Sequence, residues 1–215
     1  LLEGGIYIMA PLALMSMIAI YVFIERTLAI RKAEKVTPDF MDKIRDYISQ
    51  GSFESARNLC QDSDTPMARM LDKGISRIGK DLKDISVAIE NIGKLEIYNL
   101  EKNLSSLATV AGAAPMVGFL GTVIGMIKAF NVISLSGTGN PGLVASGISE
   151  ALITTAAGML VGIPALVLYH YFRGKIDRYV FEMEEVAIQL VEELSYDGVM
   201  KEKGSSKLRK TASDK

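Results

Sequence analysis

Two stretches decide how this chain folds: LSSLATVAGAAPMVGFLGTVIGMI, from Leu104 to Ile127, and LVASGISEALITTAAGMLVGIPALVLYHYF, from Leu143 to Phe172. Between Lys102 and Lys128 lie 25 residues without a charge, and between Glu150 and Arg173 another 22. Each is enough for the ~20-residue crossing of a bilayer's hydrocarbon core. The segment that joins them, SLSGTGNPG from Ser134 to Gly142, carries the glycines and proline that stop a helix and the small polar residues that suit water. The pair reads as an antiparallel hairpin of membrane helices, 104–133 and 143–172, about a loop at 134–142.

A helix that only anchors a protein in lipid is built from Leu, Ile, Val and Phe. These two instead carry Gly118, Gly121, Gly125, Gly158 and Gly162, with Thr109, Thr122, Thr154 and Thr155 among them. Small residues let helix backbones approach, and Gly121 with Gly125, like Gly158 with Gly162, has the small-xxx-small spacing of close helix contact. Pro115 and Pro164 lie at nearly matching depth, where each frees a carbonyl and can bend its helix. The hairpin therefore packs against protein on more than one side.

Upstream, Gly4 to Ile24 is 21 residues without charge, closed by Glu25 and Arg26. A signal peptide would place its positive charges before the apolar run, so residues 1–26 read as a first membrane helix. Its residues are bulkier, as suits a helix facing lipid, and Pro11 either kinks it or sits in its first turn. Of the 24 Lys and Arg, 14 fall between Arg26 and Lys102, one is Lys128 and nine lie from Arg173 onward. The positive-inside rule then puts the N-terminus and the short loop outside and both long polar parts in the cytoplasm. A positive mean hydropathy with near-zero net charge fits a membrane protein that has a sizeable aqueous part.

The polar region 27–103 reads as helical throughout. Thr37-Pro38 and Thr65-Pro66 have the signature of an N-cap followed by proline at the first helical position, and Ser52 opens a further short helix. From Asp84 the apolar spacing continues into the membrane, so one helix is expected from Asp84 to Ile133, about 75 Å long at 1.5 Å per residue. Past the interfacial group Tyr169 to Phe172, apolar positions from Ile176 to Leu194 recur every three or four residues and call for a partner helix. That partner is the extended second helix or one from a neighbouring subunit. Region 173–215 is thus an amphipathic helix followed, beyond Asp197, by a polar Gly/Ser/Lys-rich tail expected to be disordered.

Depth in the membrane follows from the hairpin. With the turn at about residue 138, residues whose numbers sum to about 277 lie level, which pairs Thr122 with Thr155 about 25 Å of helix rise from the turn. Unaided, membrane threonines bond their own preceding-turn carbonyl and pack. Glu150 falls level with Ile127 and beside Lys128. Two arrangements fit: an ion pair that offsets burial of both charges, or Lys128 reaching to the headgroups with Glu150 facing a water-filled cavity. At 100° per residue Glu150 and Thr155 are about 140° apart around their helix, whereas Glu150 and Thr154 share a face.

APMVGFLGTVIGMIKAF (Ala114 to Phe130) and GISEALITTAAGMLVGIPALVLYHYF (Gly147 to Phe172) resemble the two motif blocks of the ExbB/TolQ family, channel-forming subunits of bacterial proton-driven motors. The resemblance covers the hairpin densely and agrees with the three-helix layout. It implies an all-α inner-membrane protein whose second and third helices line a pore in a homopentameric ring, with protons carried and no cofactor. In that ring Thr122 and Thr155 would form the polar path, with Glu150 near its outer entrance and Thr154 also lining the pore. The ring would enclose the single span of an ExbD/TolR-like partner whose membrane Asp takes up and releases protons, and would drive a TonB- or TolA-like protein. A TolQ-like role in the envelope, or a scaffold that conducts nothing, are the alternatives. At His170 the family often has Asn, so no role is carried over to it.

Other functions find little support. Gly137 to Gly142 matches G-x-G-x-x-G, but no strand precedes it, so a dinucleotide site is not expected. One Cys and one His supply no metal cluster, and a lone Cys60 permits no internal disulfide. The basic residues from Arg26 to Lys102 are balanced by acids, which argues against nucleic acid. No enzymatic constellation is present.

Overall fold

The computed structural model describes residues 5–34, 39–136 and 141–213, with backbone alone at 136, 143 and 196–213. Seven helices make up these residues, with no strand among them: α1 (Ile6–Ala33), α2 (Phe40–Ser49), α3 (Phe53–Ser63), α4 (Pro66–Ile75), α5 (Leu82–Glu101), α6 (Leu104–Ser136) and α7 (Pro141–Ser213). Three are long and apolar enough to cross a membrane. The chain packs as two compact units, Leu1–Leu28 with Glu101–Gly174 and Ala29–Leu100 with Lys175–Lys215.

The first unit holds most of α1, all of α6 and the first part of α7. Ile8 and Leu12 of α1 meet Ala114 of α6 in a small buried cluster, flanked by Met15, Val117, Ala157 and Val161. Elsewhere these helices turn large apolar residues outward, among them Tyr7, Met17, Tyr21, Phe119, Ile127, Leu152, Leu160 and Val167. Such a surface is stable only against lipid or other protein. Helix α1 runs on through Pro11 and past the charge pair Glu25 and Arg26. There Glu25 accepts from both Nε and Nη2 of Arg26, whose side chain is buried, and Asn103 Nδ2 donates to Glu25 at 3.2 Å.

The single helix expected from Asp84 to Ile133 is interrupted. Lys102 and Asn103 form a turn between α5 and α6, and Asn103 has φ of 66°. Asparagine tolerates this left-handed conformation better than other side chains with a Cβ, and the Asn103 carbonyl then accepts from Leu107 N at 3.3 Å. Periodicity of the apolar residues carries across the break, which is why it was not visible in the pattern.

In the second unit α2, α3 and α4 follow one another in contact, and their apolar faces (Phe40, Ile44 and Ile48; Ala56 and Cys60; Met67, Met70, Leu71 and Ile75) are buried. Thr65 caps α4 by accepting from Ala68 N at 3.3 Å, with Pro66 opening the helix. Ser52 precedes α3 without a side-chain cap bond, and Thr37-Pro38 lies outside the described residues. The partner expected for the amphipathic part of α7 is supplied within the chain. Leu190 packs with Ile89 of α5 against Gly74 of α4, where a Cβ would sit 2.7 Å from Ile89 Cδ1, and Arg45 of α2 pairs with Glu193 at 3.6 Å. Arg69 clamps the buried Glu96 with two bonds of 2.8 and 2.7 Å and also donates to Asp64, which Lys32 reaches at 2.8 Å. The backbone after Asp197, read from composition as disordered, continues α7 to Ser213, and its Lys, Glu, Met and Leu are good helix formers.

Candidate functional site

The glycines of α6 and α7 face each other in one seam. A Cβ on Gly118 would lie 2.9 Å from the Thr154 carbonyl oxygen and 3.1 Å from Gly158 Cα, and one on Gly158 would lie 2.6 Å from the Ala114 carbonyl oxygen. A Cβ on Gly125 would lie 2.8 Å from both Ala151 Cβ and the Gly147 carbonyl oxygen, and Gly162 receives the ring of Pro115, its Cδ 2.6 Å from where a Cβ would be. Backbone therefore touches backbone along about five turns of helix. The pairs Pro115 with Gly162, Gly121 with Thr154 and Gly125 with Ala151 follow the register set by a turn near residue 138 to within two positions. Gly147 and Ala151 repeat the small-xxx-small spacing, a signal the sequence carries. Pro164, by contrast, is exposed on α7 and takes no part in the seam.

The hydroxyls divide into two kinds. Thr154, expected beside the pore, is 1% exposed: its side chain fills the notch at Gly121 and its hydroxyl donates to Ala151 O at 2.8 Å. In this chain Thr154 thus fills the contact between α6 and α7. Thr155 lies at the edge of the seam, part-buried, and donates across it to Gly118 O at 3.2 Å. One turn along α6 from Gly118, Thr122 is half-buried and donates to Phe119 O at 2.6 Å. In both the oxygen keeps lone pairs able to accept from a water or a donor beside the seam. A threonine hydroxyl can pass hydrogen bonds on but cannot store a charge, so any proton it relays must be held elsewhere.

Near the turn of the hairpin Lys128 Nζ donates to Glu150 Oε1 at 2.9 Å, with Glu150 21% and Lys128 56% exposed. Of the two arrangements open at sequence level, the ion pair is the one adopted. The same oxygen lies against Gly5, so that a Cβ there would overlap it. His170 is exposed, its ring edge-on to Tyr169 with centroids 5.2 Å apart. Among the described residues no three of His, Cys, Asp and Glu are grouped to hold a metal ion.

The chain as a whole has relatives among known proteins. The sequence profile of the MotA/TolQ/ExbB proton channel family matches residues 62–185. An ExbB homologue of Methanothermobacter thermautotrophicus is 30% identical over 176 residues, 80% of this chain and 62% of that protein. The ExbB-like 3 protein of Synechocystis sp. is 30% identical over 180 residues, 80% of this chain and 83% of its own length. The Tol-Pal system protein TolQ of Haemophilus influenzae is 44% identical over 75 residues, 35% of this chain and 33% of that protein. The matched region takes in the whole hairpin and most of the helices that continue it, and the chain belongs to the MotA/TolQ/ExbB proton channel family.

Proposed function

We propose that this chain is the wall subunit of a proton-driven motor in a bacterial inner membrane, ExbB-like in its system. Five copies form a ring with α6 and α7 toward the axis, around the single span of an ExbD/TolR-like partner, and the motion produced is passed to a TonB-like protein. The observation that supports this reading is the pair Thr122 and Thr155: two hydroxyls beside a glycine seam, one in the charge-free stretch 103–127 and the other in 151–172. A helix pair needing only to sit in lipid has no use for them.

The partner's carboxylate stores the proton, and the threonines hold water or that carboxylate in line while the proton enters or leaves. Moving one charge through 100 mV supplies about 2.3 kcal/mol, so one or two protons power a step of a few kcal/mol. Orientation follows the basic residues: N-terminus and hairpin loop outside, α2 to α5 and the end of α7 in the cytoplasm. A thiol placed at Ser136 in a Cys60→Ser background reacts with an impermeant reagent from outside, and reaction only after permeabilisation would reverse the orientation.

Thr155→Val tests the function. It keeps shape, removes the hydroxyl and leaves the seam glycines untouched, so assembly with the partner persists while proton flux into proteoliposomes falls. Unchanged flux would leave the scaffold reading standing. The similarity to TolQ makes a Tol-Pal role the second reading. Complementation separates the two: rescue of TonB-dependent uptake supports the first, and rescue of envelope integrity alone the second.

A further inference from the structure

Glu150, Lys128 and Gly5 come from three different helices or their ends, and all three converge on one oxygen atom. Lys128 approaches Oε1 of Glu150 from α6 at 2.9 Å, and the bare Cα of Gly5, at the start of α1, closes on the same atom. A Cβ on Gly5 would overlap Oε1 and lie 3.4 Å from Cδ. Gly5 has φ of 70°, and its carbonyl accepts from Ile8 N at 3.0 Å and Met9 N at 3.1 Å, which fixes it as the cap of α1. The position of this glycine is therefore set by the helix it begins. Around α7 the Glu150 carboxylate is turned about 140° from Thr155, toward α1 and away from the side of the seam where the Thr155 hydroxyl lies.

We propose that Gly5 is a positioning residue: its missing side chain is the socket that holds the Glu150 carboxylate on Lys128, and the three form a clasp fastening the outer end of α1 to the α6–α7 hairpin. While the clasp is closed, Glu150 is engaged in structure. For the carboxylate to leave Lys128 toward any other partner, it need only swing about its own side chain, because what opposes a Cβ at position 5 is the tip of a flexible group rather than backbone. That is also why Gly5→Ala should unseat the ion pair without unfolding the protein. The inference goes beyond the motor reading, and its readout below does not require proton flow.

The test is the reactivity of Lys128 toward an impermeant amine reagent, read by mass spectrometry of the full chain in membranes. Glu150→Gln removes the partner and raises labelling of Lys128. Gly5→Ala is expected to raise it to the same level. Because alanine at a φ of 70° carries backbone strain of its own, the decisive comparison is a cycle with Glu150→Ala. If the methyl acts by evicting the carboxylate, Gly5→Ala leaves labelling unchanged in the Glu150→Ala background and costs less stability there than in the wild type, what remains being the backbone strain. Adding Glu150→Asp, whose shorter side chain withdraws the oxygens from position 5, separates the same two causes. Labelling of Lys128 that is unchanged in Gly5→Ala, or a stability cost equal in both backgrounds, would overturn the clasp. Loss of proton flux in Thr155→Val bears on the motor alone, so the two can fail independently.

Discussion

Replacing Gly158 by alanine is the sharpest test of the seam. In α7 its new methyl would stand 2.6 Å from the Ala114 carbonyl oxygen and 2.9 Å from Gly118 Cα. Both obstacles are backbone, so no side chain can swing aside. Ordinary carbon contacts are about 3.5 to 4.0 Å, so α6 must retreat by roughly 0.6 to 1 Å along a helix that is packed over several turns. Overpacking of this kind costs about 1 to 3 kcal/mol. Alanine also gains roughly 0.5 to 1 kcal/mol in helix propensity over glycine, which would mask part of the loss. Gly112→Ala supplies the correction: it lies in α6 with nothing within 4 Å of its Cβ, so it receives the propensity gain alone. The difference between the two variants isolates the packing cost, expected at about 1 to 3 kcal/mol, read from reversible unfolding of the purified chain in mixed micelles. Gly158→Ala should also stretch the Thr155 bond to Gly118 and lower proton flux, whereas Gly112→Ala should leave flux unchanged. Equal stability of the two variants would refute the close approach of α6 and α7.

Exchanging the charges near the turn of the hairpin, Lys128→Glu with Glu150→Lys, should restore the activity that either reversal loses, and absence of rescue would reject the pair as a functional contact. Lys32 first, and then Arg69, hold the Asp64 carboxyl below its usual range. A depressed folded pKa stabilises fully above the ordinary Asp value and loses that contribution as pH falls through the folded one, so Asp64→Asn should flatten the acid limb of the stability profile and leave the neutral region nearly parallel. Burial, and then the charge of Asp72, pushes the Cys60 thiol up to about 12. It should therefore ignore thiol reagents at neutral pH until the second unit is unfolded, and labelling of native protein would contradict its burial.

The spans and their register were legible because both depend on one-dimensional quantities: the length of charge-free sequence and the distance of each residue from a turn. Depth alone brought Glu150 to Lys128. Azimuth was harder. Thr154 and Thr155 are neighbours in sequence and nearly equal in depth, yet one fills the notch at Gly121 while the other reaches the edge of the seam. Which does which depends on the face that α6 presents. Asn103 illustrates a second limit, since a two-residue turn with one left-handed residue leaves the apolar periodicity of α5 and α6 undisturbed. Gly5 shows a third: a glycine near the start of a helix reads as a terminus until the carboxylate that occupies its missing side chain, 145 positions away in sequence, is placed beside it.

Bare backbone contact between α6 and α7 has a mechanical meaning as well. Side chains that interdigitate can slide or change rotamer under load, but carbonyls and α-carbons at van der Waals distance have no such slack. The hairpin is therefore a stiff bar, with little compliance between its two rods. In the motor proposed above, such a rigid stave would direct displacement to the joints between copies, where work can be extracted, instead of dissipating it within each one.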